Sequence, residues 1–122
     1  MATYWGLGTQ PWLNDPAIEQ RDMGHACEWE TSMVLTLRPE LVGDYKNAAV
    51  VEPGNAFHPA SRAWTTKDRS SIGHIGSPHL ASKEKGEVLF SAFSSDVERW
   101  LKEVIEWDGS SWDGAKHFGF PV

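Results

Sequence analysis

The sequence has little cysteine, little positive charge and no long apolar run. Cys27 is the single cysteine, so no disulfide within one chain can staple a fold, and a reducing, cytoplasmic setting is expected. Lys and Arg total 11 against 17 Asp and Glu, a formal charge of −6. A face for nucleic acid or anionic lipid is not expected from that balance. Apolar stretches such as Ala48–Val51 and Val88–Phe90 are far too short to cross a bilayer, and no basic, apolar leader stands at Met1–Trp12. Paired-Cys motifs and His pairs at i, i+4 spacing are also lacking, which removes the usual sequence signs of a zinc site.

What remains is rich in packing residues. The chain has 122 residues, enough for one small domain, and 40% of them are hydrophobic, too many for a disordered segment. Seven tryptophans stand in it, and tryptophan usually packs. Thr3-Tyr4-Trp5 reads as a short strand that breaks at Gly6 and Gly8. Asp15 can cap a helical turn that starts at Pro16. Ala26, Trp29, Met33 and Leu37 recur at helical spacing, with Glu28 and Glu30 in the first turn and Pro39 as a stop.

Asn47–Val51 reads as a second short strand, and Trp64–Thr66 as a short extended piece within a loop-rich stretch from Glu52 to Pro78. A long helix spans about Ser82 to Trp107, its apolar face carried by Leu89, Phe93, Val97, Trp100, Leu101 and Val104. Gly86 weakens that helix by about 1 kcal/mol unless close packing needs it. Residues 1–107 form the folded part. Residues 108–122 are a Gly/Trp-rich tail held by its aromatics, and Trp107-Asp108-Gly109 at its start recurs within it as Trp112-Asp113-Gly114. Two strands and two main helices cannot cover each other as a complete α/β domain, so part of the structure is expected from elsewhere.

The densest polar cluster is Asp22-Met23-Gly24-His25-Ala26-Cys27-Glu28-Trp29-Glu30-Thr31-Ser32. His25 stands ahead of a helix whose first turn carries Glu30. A carboxylate folded back on an imidazole orients the ring and stabilises its cation, which is a general acid/base unit. Alternatively, Glu28, Glu30 and His25 only satisfy the helix end. Cys27 is either a nucleophile or a small packed side chain. Trp5 is either core or the wall of a pocket. His74 and His79 lie in a Gly/Pro loop that either brings them together or leaves them solvated, and its run Gly73-His74-Ile75-Gly76-Ser77-Pro78 is either a phosphate-cradling layout or a turn that feeds a helix.

The run Gly24-His25-Ala26-Cys27-Glu28-Trp29-Glu30-Thr31-Ser32, its Leu-containing helix and Pro39 resemble the creatininase (creatinine amidohydrolase) family. So do Gly73-His74-Ile75-Gly76-Ser77-Pro78, the start Ala81-Ser82-Lys83-Glu84-Lys85-Gly86-Glu87, and Tyr4-Trp5. The resemblance covers about residues 4–107. It implies the C-terminal half of a three-layer α/β/α sandwich, with two or three short strands and two main helices, in a domain often assembled as an oligomer.

It also implies a metal-dependent amidohydrolase that cleaves an amide C–N bond, using one or two divalent ions, Zn or Mn. His25 matches the family's acid/base or substrate-binding His, Glu30 its partner, and Trp5 a Trp that lines the substrate pocket. The ligand-bearing Glu-x-His, Asp and His-x-Glu of the family have no match here, so the metal ligands are expected outside this chain. Cys27 stands where the family has Gly, and Ser77 where Asp is common. The implied partners are a small-molecule amide and either further copies of the chain or the missing N-terminal half. A non-catalytic remnant or interaction subunit is the alternative.

Overall fold

The computed structural model describes residues 2–55, 57, 59–60 and 62–109. Two helices organise it. Helix α2 spans Glu28–Leu37 and helix α4 spans Lys83–Glu106, while α1 (Pro11–Asn14) and α3 (Thr66–Arg69) are single turns. Cys27 is the N-cap of α2 in extended conformation, and Glu28 and Glu30 lie in its first turn, where negative charge suits the helix dipole. The Arg38 N–H closes the last turn on the Val34 carbonyl, and Pro39 opens a separate 3-10 turn, Pro39–Leu41. At the other helix, the Ser82 hydroxyl accepts from the Lys85 N–H at 3.3 Å. The 24 residues of α4 make a rod about 36 Å long.

The two helices are in close contact, and small residues make that approach possible. A Cβ on Gly86 would stand 2.0 Å from the Ser32 carbonyl oxygen and 2.3 Å from Thr36 Oγ1. Gly86 therefore costs helix propensity and gains backbone contact. The hydroxyls at the crossing are all used. Ser32 Oγ donates to the Glu28 carbonyl at 2.6 Å and accepts from the Ser82 N–H at 3.2 Å. Thr36 Oγ1 donates to the Lys83 carbonyl at 2.9 Å.

Beside the crossing lies the apolar core of Trp12, Ile18, Cys27, Trp29, Leu89 and Phe93. The Trp12 and Trp29 rings stack at 4.1 Å, which explains why a four-residue helix at Pro11 is held in place. The N-terminal segment is tied to α4 by Asp96, only 1% exposed, which accepts from Thr9 N–H at 2.7 Å and Thr9 Oγ1 at 3.0 Å. Arg99 closes this tie through Asp96 at 2.9 Å and the Leu7 carbonyl at 3.0 Å.

The expected strands do not form. Tyr4–Gly6 is a 3-10 turn, because Tyr4 packs edge-on against Trp5 at 4.8 Å and Phe93 at 5.2 Å instead of pairing along a sheet. In place of a strand at Asn47–Val51 stand a 3-10 turn, Tyr45–Asn47, and one bridging residue, Val51. Trp64–Thr66 leads into α3, where Thr65 and Asp68 form a capping box. Asp15 caps no helix at Pro16; it follows α1, and its carboxylate accepts from the Ala17 N–H at 2.9 Å.

Extended pairing among the described residues amounts to two isolated bridges, His25 with Ile75 and Val51 with Gly76. The three-layer sandwich with two or three strands is thus corrected to a helical pair and loops, with no sheet among the described residues. Short β-prone runs need neighbouring strands to pair with, and these segments find one residue of partner each. The main helices match the expectation within a residue or two at the ends. The tail from Ser110 to Val122 lies outside the described residues.

Candidate functional site

The turn that carries His25 is built by close backbone approach. Both main-chain groups of His25 are bonded to Ile75: His25 N–H to the Ile75 carbonyl at 2.9 Å, and Ile75 N–H to the His25 carbonyl at 2.8 Å. Gly24 makes room, since a Cβ there would stand 2.0 Å from the Ile75 oxygen. Next to it, Ala26 has φ +45°, a left-handed conformation that costs a non-glycine residue about 1–2 kcal/mol. The strain sits between a clamped His25 backbone and the first residues of α2, and the His25 side chain faces solvent. On the opposite strand of the bridge, Gly76 has φ +117° and lies against Gln20 and Cys27.

The three acidic and thiol neighbours of His25 have separate fates. Cys27 is fully buried in the core, which leaves no exposed thiol for nucleophilic chemistry. Glu28 is fully buried too and is part of the scaffold. Its carboxylate accepts from Lys85 Nζ at 2.6 Å, the Gln20 N–H at 2.6 Å and the Glu19 N–H at 3.2 Å. Lys85 Nζ also donates to the Leu80 carbonyl at 2.7 Å. This ion pair pins the loop before α2 to the start of α4.

Glu30 makes no hydrogen bond or ion pair with His25 among the described residues, and its Oε2 is buried with no hydrogen-bond partner. His25 lies ahead of the left-handed step at Ala26 and is exposed, while Glu30, a first-turn residue of α2, lines a groove with Tyr4 and Met33. Burial, then the nearby Glu30 charge, then Cys27, push the Tyr4 phenol up to about 12. The expected His25–Glu30 contact is therefore absent, although both residues sit within one turn and helix start. Trp5 is half-buried and packs on the core through Tyr4.

Gln20 is the residue that the sequence did not single out. Its Oε1 accepts from the Ser77 N–H at 2.8 Å and its Nε2 donates to the Asp22 carbonyl at 2.7 Å. Its own carbonyl accepts from Trp29 Nε1 at 3.0 Å. One side chain thus joins the loop before His25 to the Gly-rich turn. No spacing rule marks such a Gln, because its partners are backbone groups 2 and 57 residues away.

His74 and His79 do not converge on a cation. His74 Nε2 lies 2.6 Å from the Ala49 carbonyl, and His79 Nδ1 is buried without a partner. His58 and His117 lie outside the described residues. No group of three or more His, Cys, Asp or Glu that could hold a metal ion is found among the described residues. With Glu28 committed to Lys85 and Cys27 sealed in the core, the described residues do not fit a divalent ion.

The comparisons place the chain first in a class and then in a family. The class is that of the amidohydrolases. Within it, the model of the family Creatininase, described as creatinine amidohydrolase, matches residues 2–101, and the chain belongs to that family. The match does not bear out the narrower expectation that these residues are only the C-terminal portion of the family domain. No curated protein and no solved structure matches the chain. No helix among the described residues is long and apolar enough to cross a membrane.

Proposed function

We propose that this chain contributes the His25 turn to a metal-dependent amidohydrolase that cleaves an amide C–N bond of a small molecule. Family membership supports the reaction class. The observation that carries the assignment to His25 is the strained, clamped turn: left-handed Ala26 on one side, two backbone bonds to Ile75, and an exposed imidazole between them. Strain of this kind persists only where surrounding contacts over-determine it, and it gathers at functional sites. A solvent-facing imidazole on a fixed backbone can give a proton to a leaving nitrogen at neutral pH. Trp5, beside Tyr4, supplies an aromatic surface for the substrate.

The ion of this reaction, Zn or Mn, is held by residues from another polypeptide. The chain thus works in the cytoplasm as one part of an assembly, with that metal-bearing part or with further copies. The test is release of amine from creatinine and from a small linear formamide, with Zn2+ or Mn2+ added. The chain is assayed alone and co-expressed with a family polypeptide that carries the metal-binding residues. Turnover is expected in the co-expressed sample, falling at least about a hundredfold in His25→Ala, in line with loss of a general acid. Turnover that ignores His25→Ala overturns the assignment.

A further inference from the structure

The groove between α2 and α4 is not used by any of the foregoing. It measures about 660 Å³, within the roughly 300–1,000 Å³ range of small-molecule sites. Its walls are apolar, from Leu37 and Val34 on α2 to Phe90, Val97 and Leu101 on α4. Leu37, Phe90 and Leu101 are all exposed, at 54%, 41% and 45%. Only Glu30 and Glu98 bring charge to the lining, and both are acidic. Glu98 is already paired with Lys102 at 2.6 Å. Glu30 Oε2 is buried without a partner, on the wall that also holds the rings of Tyr4 and Phe93.

We infer that this groove binds an apolar organic monocation, with the ammonium on Glu30 and the hydrocarbon body along Val97, Leu101, Phe90 and Leu37. A carboxylate oxygen removed from water and left unpaired is costly, and an incoming N–H+ donor turns that cost into a charge-assisted hydrogen bond. Aromatic rings in the same lining add cation–π attraction for a cation. A neutral or anionic ligand leaves the oxygen orphaned. A second copy of this face brings its own unpartnered Glu30 and so opposes carboxylate to carboxylate. The inference goes beyond the hydrolytic reading and stands independently of it.

The experiment uses the full chain and two probes of matched shape, phenylbutylamine and phenylbutanol. Binding is read by calorimetry and by tryptophan fluorescence at neutral pH. The amine is expected to bind about tenfold tighter or more, the difference made by a hydrogen bond to a charged group. Glu30→Gln is expected to erase that preference while leaving the alcohol's affinity in place, which also reports that the groove is folded. Val34→Lys, at an exposed wall position, offers a built-in ammonium and is expected to weaken the amine more than the alcohol. Equal affinity for the two probes, a preference that survives Glu30→Gln, or no saturable binding of the amine would each overturn the proposal.

Discussion

Replacing Lys85 by Met removes the ammonium that ties buried Glu28 to the start of α4, together with its bond to the Leu80 carbonyl. Glu28 is fully buried and Lys85 is 14% exposed at the side chain, so the pair is poorly screened. Met keeps the length and apolar character of the stem and removes only the ammonium. Removing one partner of a buried pair costs about 3–5 kcal/mol, because the other charge is left without its counter-ion. Here two backbone N–H groups remain on Glu28, from Gln20 at 2.6 Å and Glu19 at 3.2 Å, which argues for the lower end, about 3 kcal/mol.

That is on the order of a hundredfold in the folding equilibrium. It is also a large share of the roughly 5–15 kcal/mol typical of a whole domain. The assay is urea unfolding followed by tryptophan fluorescence, with the midpoint lowered and the slope unchanged. A cycle with Glu28→Gln completes the argument, since the double variant should lose less than the sum of the singles. A loss below about 1 kcal/mol for Lys85→Met would refute the reasoning, because it would put the pair in the range of solvent-screened surface bridges.

Gly86→Ala improves intrinsic helix propensity yet is expected to destabilise by about 1–3 kcal/mol, since the new Cβ meets the Ser32 carbonyl; thermal melts compare it with wild type. Tyr4 is expected to hold its proton to about 12, against an ordinary value of 10. The unfolded chain releases that proton first, so stability falls as pH rises from 10 towards 12, and ultraviolet titration of the phenols beside alkaline unfolding checks both. Cys27, buried in the core, should react with an aromatic disulfide reagent far more slowly in the folded chain than in urea; equal rates would contradict its placement.

The helices were legible in the sequence because their signals are local. The stop at Pro39, the Ser82 cap and the recurring apolar positions each act within a few residues. The strands were not, because a β-prone run such as Thr3-Tyr4-Trp5 is decided by what lies beside it in space. Tyr4 met Phe93 of α4 there, and no strand. The loss of propensity at Gly86 was visible, and only the partner at Ser32 explains it.

At the candidate site, the cluster from Asp22 to Ser32 was readable as a unit, while the division of labour within it was not. Glu28 and Glu30 are two residues apart and equivalent by composition, yet one is paired with Lys85 and the other faces a groove. The chain takes a left-handed step at Ala26 between His25 and α2, and a positive φ at alanine has no sequence signal. Gln20 acts through backbone groups of its own loop and of the distant Gly-rich turn, which leaves no motif to read.

The central claim is that the chain offers a clamped histidine for amide hydrolysis while the divalent ion is held by residues of another polypeptide. Metal content after equilibration with Zn2+ or Mn2+ and dialysis, measured on the purified chain alone, tests this most directly. The account predicts far less than one ion per chain, with unfolding curves unmoved by either metal. One tightly retained ion per chain, with a matching gain in stability, would contradict it.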